Sequence, residues 1–396
     1  MSPFSAVINP LVAEVGSPPI PEARGWAQRY GGAFGPLIDL SQAVPGHPPH
    51  PDLLRRMAEV AGAPEGSRYG PIRGDDILRR AYAAEVARLY GAQISPDDVA
   101  ITAGCNLAFV VTMMLAARAG DTVLLPTPWY FNHQMTLDML GVVPKPLPCR
   151  ASNGFVPDPE DAEALIDSSV RAIVLVTPNN PTGAIYPPET IAAFANLCRR
   201  KRILLVLDET YRDFLDAASD RPHDMLATED WRDTIVQLYS FSKAYAVPGQ
   251  RCGAIVAGSS LNRQVEKILD CLQICPPRTV QPALAEGIVS LRGWREENRA
   301  EIVRRADAFR LLFRDLPGWR IDSIGAYFCY LQHPFRGSTA NAVAEQLASE
   351  RGVLCLPGSF FGPGQDDYLR VAFANVGTEV IDQLRDRLRG FGPSAP

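Results

Sequence analysis

Between residues 99 and 258, short apolar runs rich in β-branched residues alternate with stretches of helical period, and few architectures accept that alternation. The runs are VAIT (99–102), TVLLP (122–126), AIVLVTP (172–178), RILLVLDE (202–209), TIVQLYS (234–240) and GAIVAG (253–258). Amphipathic stretches such as HQMTLDMLG (133–141) and ETIAAFANLCRR (189–200) separate them, and NLAFVVTMMLAARAG reads as a buried helix ending at Gly120. Strands apolar on both faces belong inside a sheet covered by helices on both sides. The spacing therefore predicts an α/β fold with a mainly parallel sheet. In such sheets ligands bind where loops leave the C-terminal strand ends, so polar residues directly after the runs carry the functional signal.

The flanking regions differ. The first 50 residues are rich in Pro and Gly, with PGHPPHP at 45–51, and read as an irregular arm with one short strand at LIDLS (37–41). From Pro51 the pattern turns helical; Asp75 and Asp76 open a run carrying Ile77, Leu78, Ala81, Tyr82, Val86 and Leu89 at three-to-four spacing. Beyond about Gln281 a long charged helix, SLRGWREENRAEIVRRADAFRLLF, leads to strand-like AYFCYL (326–331), VLCLP (353–357) and LRVAFA (369–374), then a last helix in TEVIDQLRDRLRG. This gives an arm at 1–50 belonging to a smaller domain, a large ligand-binding domain at 51–285, and a small α+β domain at 286–396.

Composition narrows the function classes. Lys plus Arg number 39 and Asp plus Glu 44, a net charge of −5, with no basic tail or run, which argues against nucleic acid or an anionic membrane as partner. The eight cysteines form no CxxC pair. Cys271 and Cys275 stand one helical turn apart without a second pair to complete a zinc set, so no metal is expected. The N-terminus lacks a basic segment followed by an apolar core, and the apolar stretch Leu107–Ala117 falls short of the ~20 residues that span a bilayer. The expectation is a soluble, cytoplasmic protein with reduced thiols.

Four clusters follow strand ends. They are TPNNPTG (177–183) with Asn180, DETY (208–211), YSFSK (239–243), and PGQRCG (248–253) with Arg251. An Asp, a Lys and an Arg at the ends of buried strands are costly unless they pair with one another or with a ligand. A buried Asp can hold a positive charge on a ring nitrogen. A desolvated Lys becomes an amine nucleophile for an aldehyde. A Ser–Arg pair beside a Gly-led helix N-terminus suits a phosphate dianion. Ring nitrogen, aldehyde and phosphate together describe pyridoxal phosphate. No G-x-G-x-x-G follows a strand, which disfavours a nicotinamide enzyme.

In order, NPTG (180–183), DETY (208–211), SFSK (240–243), GQRCG (249–253) and LRVAFAN (369–375) closely resemble the class I/II aminotransferases, fold-type I pyridoxal-phosphate enzymes. The resemblance runs over roughly residues 37–375. It implies that Lys243 forms the Schiff base with the cofactor and then moves the proton between the substrate Cα and the cofactor. Asp208 would pair with the pyridine nitrogen, and Tyr211 and Asn180 with the 3′-oxygen, Asn180 also bordering the substrate. Ser240, Arg251 and the backbone N–H groups of Gly104, Cys105 and Asn106 would hold the phosphate. Tyr130, with Trp129 as its nearest competitor, falls at the ring-stacking position. Tyr69, in SRYGPIRG, resembles the tyrosine that reaches a neighbouring subunit's phosphate, which implies a homodimer with shared sites. Arg370 would clamp the substrate carboxylate, and Ala43 stands where many members carry Gly. His47 and His50 are expected exposed on the arm, and Arg278 is a candidate to face the substrate side chain.

The implied activity is ping-pong transfer of an amino group from an L-amino acid, with aromatic residues near the site favouring an aromatic or larger neutral one, to a 2-oxo acid. The same cofactor residues would serve a lyase performing C–S β-elimination or cyclopropane formation. A non-catalytic regulator of this fold would need a helix-turn-helix module, and about 36 residues before the first fold strand are too few for one.

Overall fold

The computed structural model describes residues 8–215 and 221–392. In chain order the strands are β1 (Ile38–Asp39), β2 (Val99–Thr102), β3 (Thr122–Thr127), β4 (Val143–Pro148), β5 (Val170–Val176), β6 (Leu204–Asp208), β7 (Ile235–Ser240), β8 (Gly253–Val256), β9 (Arg320–Gly325), β10 (Phe328–Gln332), β11 (Val353–Leu354), β12 (Leu356–Pro357) and β13 (Tyr368–Ala372). Seven of them form the central sheet in the order β2-β8-β7-β6-β5-β3-β4. β4, β3, β5, β6 and β7 run parallel, while β8 is antiparallel to both β7 and β2. Every residue of β2, β3, β7 and β8 is buried, as apolar runs covered on both faces require. The edge strand β4 (VPKPLP) has no counterpart in the sequence reading. Its three prolines argue against a strand in general, but at a sheet edge the missing N–H donors cost little.

The smaller sheet is antiparallel, in the order β12-β13-β10-β9, and β1 pairs in parallel with β11. The VLCLP run is therefore two strands serving two sheets, β11 on β1 and β12 on β13. Through β1 the N-terminal segment joins the apolar cluster around the smaller sheet, where Ile38 and Leu40 pack with Phe309, Phe328 and Val371.

Three details differ from the sequence reading. The arm is not irregular throughout, because Pro19–Ala27 is helical; its prolines fall in the first turn, where N–H groups have no intrahelical partner anyway. The helix after Gly104 runs Cys105–Ala116 and stops before Gly120. His47 and His50 are half-buried, edge-on to Trp294 at 5.3 and 5.7 Å, and His50 Nδ1 accepts the Asp52 N–H to cap the Pro51–Gly62 helix. Among the described residues no helix is long and apolar enough to cross a membrane.

Candidate active site

The C-terminal ends of β6 and β7, the start of the Cys105–Ala116 helix and the segment after β1 converge on a cavity of about 310 Å³. Lys243 lies on the one-turn helix Phe241–Ala244, entered from β7 through Ser240, whose Oγ accepts the Ser242 N–H at 3.3 Å. The Lys243 amine donates to the Ala43 carbonyl, so the chain at Ala43 crosses directly in front of it. Burial, reinforced by the Arg370 and Arg251 charges, pushes this amine down to about 8. A neutral amine is thereby within reach of ordinary pH.

Asp208 ends β6, and its carboxylate reaches the same cavity. Oδ1 accepts the Thr210 N–H at 3.0 Å and the Cys105 thiol at 3.9 Å, and Oδ2 lies 3.3 Å from His133 Nε2. Burial by itself would raise Asp208. The hydrogen bond and charge of His133, with the Thr210 contacts, outweigh it and hold the carboxyl below its usual range. His133 is clamped in turn, its ring stacked 3.8 Å over Phe109. It was missed in the sequence, where it opens an amphipathic helical stretch between Asn132 and Gln134 and belongs to no motif. The available signal was its position one helical turn after Tyr130.

Arg370 sits mid-strand in β13, opposite Tyr330, and is 2 % exposed. Its Nη1 donates to Asn180 Oδ1 at 3.3 Å and its Nη2 to the Ser41 carbonyl, while Nε is buried without a partner. Burial pushes this guanidinium down to about 10, which still leaves it charged near neutrality. Asn180 arrives on the loop after β5. Gly183, three residues on, has φ +76° and packs so tightly on Gly325 that a Cβ would stand 2.4 Å from its nitrogen. Tyr211 is buried against Tyr327 and Phe328, with its ring centroid 5.9 Å from the Lys243 amine. Tyr130 lines the cavity and accepts from Asn132 Nδ2 at 2.7 Å; burial pushes its phenol up to about 12. Trp129 is not among the residues lining the cavity and packs beside Gly362, where an added Cβ would stand 3.2 Å from its ring.

Ser240, Ser242, Arg251, Cys105 and Asn106 also line the cavity. Gly104 contributes room rather than a donor. Its amide is bonded to the Thr102 carbonyl at 2.7 Å, and a Cβ there would lie 2.1 Å from Arg251 Nη2. Tyr69 stands outside the cavity, 80 % exposed. Arg278 does not face the cavity: its Nε pairs with Asp75 at 3.2 Å and its Nη1 donates to the Glu65 carbonyl at 2.9 Å. Ile20, from the unexpected N-terminal helix, does line it, with Gln42, Val44 and Phe131.

Known proteins resemble this chain over most of its length. The sequence pattern of the family described as aminotransferase class I and II matches residues 36–388. The chain is 29 % identical over 369 residues to a valine–pyruvate aminotransferase of Mycobacterium tuberculosis, covering 91 % of this chain and 92 % of that protein. It is 28 % identical over 324 residues to the arginine–pyruvate transaminase AruH of Pseudomonas aeruginosa, covering 81 % of each. The crystal structure of an aminotransferase from Mycobacterium tuberculosis superposes with a TM-score of 0.89 at 26 % identity, covering 99 % of this chain and 100 % of that one. The family match over most of the length and the named relatives define an enzyme that transfers nitrogenous groups, on the fold of the type I enzymes. The chain belongs to the class I and II aminotransferase family.

Proposed function

We propose that the cavity holds pyridoxal 5′-phosphate and that the chain moves an amino group from a large neutral or aromatic L-amino acid to a 2-oxo acid, one substrate after the other. The observation that carries this is the buried Lys243 amine, pushed down to about 8, sharing the cavity with the Asp208 carboxylate. The residues fit such a cofactor. Asp208, held ionised by His133, suits a protonated ring nitrogen. Arg251, seated over Gly104, suits a phosphate together with Ser240, Ser242 and the N–H groups of Cys105 and Asn106 that open the helix. Tyr130 offers a ring face, and Tyr211 and Asn180 offer polar atoms for the ring oxygen.

The bound cofactor supplies an electron sink for the carbanion left when the substrate Cα loses its proton. The chain's own groups do the rest. Arg370, with its unpartnered Nε, takes the substrate carboxylate as a two-point clamp and so fixes which Cα bond faces Lys243. The Lys243 amine, once free, accepts the Cα proton and returns it. Ile20, Val44 and Phe131 give the side-chain wall an apolar character, and Arg251 and Arg370 are the arginines among the lining residues. Both features favour a neutral side chain. Ala43 narrows the approach to Lys243 relative to a glycine.

We read the enzyme as a cytoplasmic homodimer. All eight cysteines are free thiols, in keeping with a reducing compartment. The exposed Tyr69 shares its face with exposed Leu272, the kind of apolar surface a second copy would cover.

Capture of the cofactor tests the lysine directly. The amine reacts in its neutral form, and its ordinary value of 10.5 is lowered to about 8. The rate at which the apo-protein binds pyridoxal phosphate covalently is therefore expected to rise with pH to a midpoint near 8 and then level off, as followed by the visible band. A midpoint above 10 would mean an exposed, ordinary lysine and would contradict the site.

A further inference from the structure

Asp208, Thr210 and Tyr211 line the cavity, but Glu209 and Arg212 turn the other way, into a buried charged network that the reaction itself does not use. Glu209, 1 % exposed, accepts from Tyr90 Oη at 2.6 Å and from Gln237, and lies 3.2 Å from His223 Nε2. Arg212 is buried next to Tyr211. Its guanidinium lies 4.1 Å over the Tyr239 ring and 5.3 and 5.7 Å from the rings of Tyr82 and Tyr90. Its Nη1 reaches Tyr90 Oη at 3.4 Å, and its Nε is buried with no hydrogen-bond partner. No ion pair joins Arg212 to a carboxylate among the described residues, and its counter-charges stand one tyrosine away. Glu209 lies behind Tyr90, and Asp213 lies behind Tyr239, whose hydroxyl donates to it at 2.7 Å. Asp213 also holds Arg295 at 2.8 Å, at the start of the long Arg292–Arg314 helix.

A buried cation with no direct counter-ion is expensive, and an apolar side chain of similar volume would cost less. Three aromatic faces offset part of that cost and also fix the guanidinium in a plane. Its backbone is tied to the turn, Arg212 N–H donating to the Glu209 carbonyl at 3.1 Å and Phe214 N–H to the Tyr211 carbonyl at 3.0 Å. The side chain thus locks the turn from behind, while Asp208 and Tyr211 stand on its other side.

We propose that Arg212 is a positioning residue for this enzyme: caged by Tyr82, Tyr90 and Tyr239, it fixes the turn that presents the Tyr211 hydroxyl to the cofactor's ring oxygen. The proposal rests on the cofactor reading above. A hydroxyl that donates to an oxyanion favours the charged form, so misplacing it raises the pH at which the holoenzyme's visible spectrum titrates. The experiment is a spectral pH titration of the holoenzyme in four forms, Tyr211→Phe, Arg212→Met, Arg212→Lys and the double variant Tyr211→Phe/Arg212→Met, with melting temperatures alongside.

Each single variant is expected to raise the spectral midpoint by about one unit, and the double variant to add nothing further, because Arg212 acts through Tyr211. Arg212→Lys keeps the charge but loses the planar contact, so it should shift like Arg212→Met; if the latter does not fold, the lysine variant decides. Lowered melting temperatures with an unmoved midpoint would make Arg212 merely structural. An additive shift in the double variant, or a wild-type midpoint in Arg212→Lys, would make it a charge acting through space. Either result overturns the proposal. Absence of any visible band in the wild-type protein would instead overturn the cofactor reading, so the two failures are distinguishable.

Discussion

Lys243→Ala is expected to lower turnover by about 10⁴-fold, the upper range for removing a positioned acid–base group, while leaving the fold intact. Two observations carry that expectation. The amine is the lysine nitrogen that lines the cavity, and burial with the Arg370 and Arg251 charges has already brought it down to about 8. It can therefore be neutral when it must take a proton and charged when it must return one. Its hydrogen bond to the protein goes to the Ala43 carbonyl, beside the cavity that the amine also lines, so truncation leaves that acceptor next to open space rather than sealed in the core. The melting temperature should hold, and the visible band of covalently bound cofactor should be lost. Residual turnover within tenfold of the native enzyme would mean that another group moves the proton.

Arg370→Met is expected to lower kcat/KM by about 10²- to 10³-fold, mostly through KM, in line with the ~2–5 kcal/mol cost of removing one member of a buried, hydrogen-bonded charge pair. Arg370 is set in the middle of β13 and held by Asn180 and the Ser41 carbonyl, so it is preorganised before a carboxylate arrives. Arg370→Lys should recover little of the loss, because an ammonium cannot reproduce the two-point fork. Steady-state kinetics on one amino acid separates the outcomes. An unchanged KM with a fallen kcat would place the carboxylate elsewhere.

Much of this arrangement was legible in the sequence because it is local. Asp208, Ser240 and Lys243 sit at or just past strand ends, where an apolar run gives way to a polar residue, and the strands themselves are continuous apolar text. What escaped was either non-local or disguised. The ties that place the N-terminal segment join Ala43 to Lys243 and Ser41 to Arg370, across 200 and 329 residues, and no spacing rule reports them. The Pro19–Ala27 helix and β4 hid behind prolines, which are tolerated at a helix start and a sheet edge for the same reason, that no N–H is required there. β9 (RIDSIG) is exposed at Arg320 and half-buried at the five residues after it, so it lacks the buried–exposed alternation of a strand with one face in the core. His133 belongs to no sequence motif, and its role shows only in space, where its ring stacks on Phe109 and its Nε2 meets Asp208. Arg278 was drawn elsewhere by Asp75, a partner 203 residues distant.

The most direct test of the central claim is the visible spectrum of the purified holoenzyme with single amino acids and no oxo acid. A large neutral or aromatic L-amino acid should bleach the visible band in one turnover and release one equivalent of its 2-oxo acid, with aspartate at least about tenfold slower, and a second oxo acid should restore the band. A band that persists while ammonia and an oxo acid accumulate over many turnovers would contradict the account and make the chain a lyase.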